Sequence, residues 1–273
     1  MVPRLRWRSR DWMLLIVAGG LLRASVAQLV PYDNFHSKHI DPSKWIGWQF
    51  FDPDVRESVR LLSGEGLDRH LRVAQTAYSS TTDDTGGSGG SVGLAFPLPN
   101  AITEISFSVT VNEARAVGCE NNPALIVTDA EFRGNFFNVQ SSATSQIGDV
   151  VAVISVARSP MDVGNALTVA GFYSRCDDEF CGTQTPLDYH VLGNIQPGVP
   201  ATLHLKWDKP NHQFAFQLNR EPEVVSTYTV SDTTAAFFPN KVIGIARVVP
   251  HCTAQPRPFT SMDASFKHVR VNP

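Results

Sequence analysis

The stretch ATLHLKWDKPNHQFAFQLN, residues 201–219, decides how this chain reads. Leu203, Leu205 and Trp207 alternate with Thr202, His204, Lys206 and Asp208, and the alternation resumes with Phe214, Phe216 and Leu218. Successive side chains of a strand point to opposite faces, so this period of two predicts a β-hairpin with one buried face. The same pattern recurs outward from the hairpin, at 55–62, 70–76, 92–97, 102–112, 124–130, 135–140, 149–157, 167–174, 188–192, 224–230, 241–249 and 261–271. Each segment is rich in Val, Ile, Phe or Thr and is bounded by Gly, Pro, Asn or Asp, the residues that supply turn geometry. No sustained helical periodicity follows residue 27. A single helical turn is expected at DPSKW, with Asp41 as cap and Pro42 at the first position. The fold class predicted is all-β, two antiparallel sheets packed as a sandwich.

The N-terminus reads as an export signal. Arg4, Arg6, Arg8 and Arg10 form a basic region ahead of the apolar run WMLLIVAGGLL, which is about half the roughly 20 residues needed to span a bilayer. Ser25 and Ala27 supply the small residues of a cleavage site, placing the cut after Ala27. The expected product is residues 28–273, a single sandwich domain that is secreted or periplasmic and has no membrane span. Removing residues 1–27 takes away five Arg and one Asp and moves the formal net charge from −3 to −7. An acidic chain without a basic stripe has no means of releasing counterions from nucleic acid, so no nucleic-acid partner is expected.

The four cysteines are expected to be oxidised in such a compartment, Cys176 with Cys181 and Cys119 with Cys252. The first pair closes the acidic loop DDEF and the second staples remote strands; a four-thiolate zinc site lacks the usual paired knuckles. The segment SSTTDDTGGSGGS, 79–91, reads as a mobile polar loop. His36 and His39 read as a surface pair, because no metal-ligand spacing surrounds them.

Several segments resemble the concanavalin-like jelly rolls, the superfamily of laminin G modules, legume-type lectins and laminarinase-type hydrolases. They are YDNFHSKHIDPSKW at 32–45, RESVRLLSGEG with LRVAQ at 56–75, the L-x-W … F-x-F hairpin, and the closing strand MDASFKHVRV at 262–271. The resemblance implies a jelly-roll sandwich that binds carbohydrate or another extracellular ligand, a glycan or a protein. It also implies a structural calcium near the chain ends, for which Asp33 and Asp263 are the candidates. No other cofactor is implied.

The hydrolase branch carries alternate carboxylates on one strand, E-x-D-x-E, and this chain lacks the triplet. The nearest candidate is Asp129 with Glu131 in TDAEF, which have the right parity and read as a solvated strand end. Asp177, Asp178 and Glu179 are contiguous and read as a charged turn. The leading expectation is therefore a non-catalytic binding module. A divergent hydrolase or lyase and a structural, protein-interaction domain of the cell envelope are the alternatives. Tyr173 and Arg175 share parity at a strand end and are the ligand-contact candidates. The aromatics of WIGWQFF, 45–51, read mostly as core, and of the adjacent Phe136 and Phe137 one is expected to face in and the other out.

Overall fold

The computed structural model describes residues 28–50, 54–122 and 125–273; residues 1–27, read above as an export signal, lie outside them. Sixteen strands and three short 3-10 turns make up these residues, and no helix among them is long and apolar enough to cross a membrane.

Sheet I contains β1 (Val30–Asp33), β3 (Val55–Ser63), β4 (His70–Tyr78), β6 (Glu104–Val117), β11 (Ala201–Asp208), β12 (Gln213–Leu218), β13 (Val224–Thr227) and β16 (Phe259–Val271). Its order is β13-β12-β11-β6-β16-β4-β3, with β1 added on β16. Sheet II contains β2 (Ile46–Phe50), β5 (Gly87–Ala95), β7 (Val127–Asn138), β8 (Asp149–Arg158), β9 (Leu167–Cys176), β10 (Gln184–Ile195), β14 (Thr234–Ala235) and β15 (Lys241–Pro250). Its order is β10-β9-β8-β7-β15-β5-β2, with β14 added on β7. All pairings are antiparallel, and the two sheets form the sandwich expected from the alternation, of the jelly-roll kind that the resemblance implied.

The 201–219 stretch pairs as read: Leu203 faces Leu218, Leu205 faces Phe216 and Trp207 faces Phe214. His212 closes the connection in the left-handed region at φ 52°. The inward residues of both sheets meet in one core that includes Val73, Phe107, Ile154, Leu205, Phe216, Ile243 and Phe266. Each large buried side chain contributes about 1.5–3 kcal/mol of transfer free energy. The turn at DPSKW forms as expected, the amides of Lys44 and Trp45 donating to the Asp41 carbonyl at 3.1 and 3.0 Å.

Three local expectations are corrected. The two strands expected at 124–130 and 135–140 are one continuous β7; Gly134 does not interrupt it because the aliphatic chain of Lys241 packs where a side chain would stand. A β-bulge between Asn135 and Phe137 rotates the strand, so Phe136 and Phe137 are both buried instead of facing opposite ways. The glycine-rich end of 79–91 is strand β5, paired with β15 from Gly87 against Pro250 onward, because a bare backbone can approach Val249 and Arg247 closely.

Candidate functional site

On β7 the residues Ala130 and Phe132 belong to the core, so Asp129, Glu131 and Arg133 point out of sheet II. Cross-strand partners share a face. Asp129 therefore sits beside Ala246 of β15 and Ala157 of β8, and Glu131 beside Gly244 and Ser155. Gly244 in turn faces Gly93 of β5. At Gly93 and Gly244 a Cβ would run into the backbone carbonyl of the opposing strand, so only glycine allows this approach. Small residues on both sides of β7 thus form a trough with the two carboxyls at its floor.

Both carboxyls are nearly buried, Asp129 at 9% and Glu131 at 7% exposure. Burial pushes the Glu131 carboxyl up to about 7, and the nearby Arg133 guanidinium offsets only part of that. Asp129 is raised well above the ordinary carboxylate range by burial first and then by the charge of Glu131, against Arg133 and a backbone amide of Ala246. Two desolvated carboxyls at alternate positions, with Cα atoms about 6.7 Å apart, favour a shared proton over two negative charges. Among the described residues Glu131 accepts no hydrogen bond, so its oxygens are turned to the trough. Asp149, also in sheet II, contrasts with them. Its fully buried carboxylate accepts from the side chains of Asn135 and Asn138 and from the amides of Phe237 and Phe238, a closed structural clamp.

Aromatic and apolar side chains flank the trough. Trp48 on β2 lies opposite Gly93 and donates its indole N–H to the Ser91 hydroxyl at 2.8 Å. Ile46 and Phe50 share its face and are exposed. On the other side Phe172 packs with Val151, Val153 and the Cys176–Cys181 disulfide, and its ring lies 5.9 Å from the exposed ring of Tyr189. Trp48 and Glu131 are three strands apart, about 14 Å.

The structure pairs Cys119 with Cys252 and Cys176 with Cys181. Asp178 shapes the second loop by accepting from the amides of Phe180 and Gly182 at 3.0 and 2.9 Å, the charged turn the sequence implied. Tyr173, a candidate contact, instead faces the interior: it is 2% exposed, its hydroxyl is 3.0 Å from that of Ser226, and its ring lies 5.0 Å from Phe214. It shares parity with the core residues Leu167 and Val169, which puts it on the wrong side of sheet II for a ligand. Arg175 is held at the strand end by Asp177 at 3.2 Å.

Asp33 and Asp263 are not brought together. Asp33 lies opposite Val269 on β16, six residues or about 20 Å along the strand from Asp263. Asp33 accepts from the Phe35 amide and the Trp45 indole, both at 2.7 Å. Asp263 holds Arg72 through two oxygens and also accepts from Asn112. Among the described residues, Asp84 with Cys119 and Cys252 is the one cluster of metal-ligand type, and its sulfurs are committed to the disulfide.

The reading of Asp129 and Glu131 as a solvated strand end is corrected as well. Their parity was legible in TDAEF; their burial was not, because it depends on Gly93, Gly244 and Ala246, which are remote in sequence.

No family model and no curated protein matches this chain. Among solved structures it is similar to LamAcat from Zobellia galactanivorans, at 9% identity and TM-score 0.42, covering 88% of this chain and 96% of that one. It is also similar to the kappa-carrageenase from Pseudoalteromonas carrageenovora, solved with an oligotetrasaccharide of kappa-carrageenan, at 8% identity and TM-score 0.40, covering 90% and 99%. Lectin II from Ulex europaeus is similar at 13% identity and TM-score 0.32, covering 84% and 100%. At these identities the likeness is one of fold alone.

Proposed function

We propose that this chain is an exported carbohydrate-binding sandwich whose ligand lies in the trough of sheet II. The observation that carries the reading is the pair Asp129 and Glu131, desolvated and side by side on an otherwise small-residue floor. One protonated and one ionised carboxyl present a donor and acceptors together, matching the mixed donor and acceptor character of neighbouring sugar hydroxyls. Arg133 adds fixed donors, and Trp48 with Phe172 and Tyr189 offers apolar ring faces at the sides. The two disulfides suit an oxidising compartment.

Titration calorimetry against soluble polysaccharides tests this. Saturable binding by the native chain is expected, weakened at least about tenfold in Glu131→Gln and Asp129→Asn by loss of charge-assisted hydrogen bonds. No binding to any polysaccharide, or binding indifferent to both substitutions, contradicts it.

A second reading, glycoside hydrolysis, is favoured by the raised Glu131 carboxyl, the property a general acid needs near neutral pH. Release of reducing ends that stops in Glu131→Gln while binding persists selects hydrolysis. Binding without product selects the module.

A further inference from the structure

Strand β6 changes its company along its length. Residues 104–109 pair with β11 on one side, ending at Val109 opposite Ala201, while β16 stays paired on the other side as far as Val117. Past the β11 ladder, the Gly198 amide donates to the Val111 carbonyl at 2.7 Å. From Asn112 to Val117 the edge facing away from β16 has no backbone partner among the described residues. This edge walls a groove of about 650 Å³ completed by Arg158, Asn165 and Pro197. A row of free amides and carbonyls six residues long is a template for another strand.

The sequence on that edge, NEARAV, complements itself. Glu113 and Arg115 lie on the solvent face of sheet I, 2.9 Å apart, with side chains 57% and 66% exposed. If the segment pairs antiparallel with another copy of itself centred on Ala114, Glu113 stands opposite Arg115 of the second copy and Arg115 opposite its Glu113. A register centred on Glu113 or on Arg115 would instead oppose like charges, so charge selects the Ala114 register. The loop between the groove-lining Arg158 and Asn165 carries Met161 and Val163, apolar side chains 85% and 88% exposed.

We propose that residues 112–117 form a dimerisation edge, on which two copies of this chain join their β6 strands antiparallel about Ala114 and continue sheet I from one subunit into the other. The arrangement is isologous, so each charge pair occurs twice and the assembly closes at two copies.

Sedimentation of the full chain without sugar tests the edge separately from the trough. A dimer at micromolar concentration is expected. Glu113→Arg places like charges at both symmetric contacts and should weaken the dimer by about tenfold or more, as should Arg115→Glu. The double variant Glu113→Arg/Arg115→Glu restores both pairs and should return the native dissociation constant. Since both side chains are exposed, each variant should fold, and an unchanged far-ultraviolet circular dichroism spectrum confirms that it does. A monomer at every concentration, a dimer insensitive to the single swaps, or a double swap that fails to restore it overturns the proposal. So does capture of an extended foreign peptide on this edge by a chain that stays monomeric.

Discussion

On the outer face of sheet I, Arg72 of β4 meets Asp263 of β16 through two oxygens, and His204 of β11 reaches Glu104 of β6 at 2.9 Å. On the outer face of sheet II, Asp129 and Glu131 stand beside glycine and alanine, and among the described residues the cation acting on both is Arg133 of their own strand. The same architecture, with the same alternation, thus settles its outward charges by pairing on one side and leaves them crowded on the other. Crowded, desolvated carboxyls oppose folding, and it is on this cost that the proposed ligand site rests.

The largest effect expected from breaking this contrast is at the trough floor. Gly244→Val forces a branched side chain into the carbonyl of Val92, where strands β15 and β5 leave no room. A loss of about 4 kcal/mol or outright failure to fold is expected, measured by denaturant unfolding of the purified chain. A stable Gly244→Val chain would show that the trough is wider than described.

Next comes the charge itself. Folding raises the Glu131 carboxyl from 4.5 to about 7, so its favourable contribution is full below about pH 4.5 and is lost as the pH rises through 7. Stability should fall across that window by on the order of 3 kcal/mol, and Glu131→Gln should flatten the slope and stabilise the chain at neutral pH. Unfolding free energies measured from pH 4 to 8 decide it; Asp129 leaves a shallower slope in Glu131→Gln, and a slope as steep as the native chain's counts against the desolvated pair.

The smallest effect belongs to sheet I. Arg72 and Asp263 are partly exposed, with side chains 40% and 24% accessible, and solvent screens them. Asp263→Asn should cost about 0.5–1 kcal/mol, with the cost shrinking in high salt. A loss as large as that at Gly244 would mean that sheet I also carries a buried electrostatic centre.

Legibility in the sequence followed the range of the interactions. The hairpin at 201–219, the closing strand, the turn capped by Asp41 and both disulfide pairs were readable, because alternation, turn residues and cysteine spacing are local or countable signals. The first half of β5, Gly87–Ser91, was hidden because its glycines resemble a flexible loop until β15 lies against them. Phe136 escaped because a one-residue bulge reverses parity without leaving a mark in composition. Tyr173 was placed on the wrong face for a related reason: a strand with Ala170 and Phe172 outward and Val169 and Tyr173 inward is apolar on both sides. The floor of the trough is assembled from Asp129, Glu131, Gly93 and Gly244, three strands whose juxtaposition only tertiary packing supplies.

Site-resolved carbon NMR titration of the Asp and Glu side-chain carboxyls in the native chain tests the shared proton most directly. The Asp129–Glu131 pair should release its protons in two separated steps, one carboxyl staying protonated above pH 6, and in Glu131→Gln the Asp129 step should move down as its charged neighbour is removed. Two independent titrations below pH 5, unchanged by the substitution, would contradict a desolvated pair at the floor of sheet II.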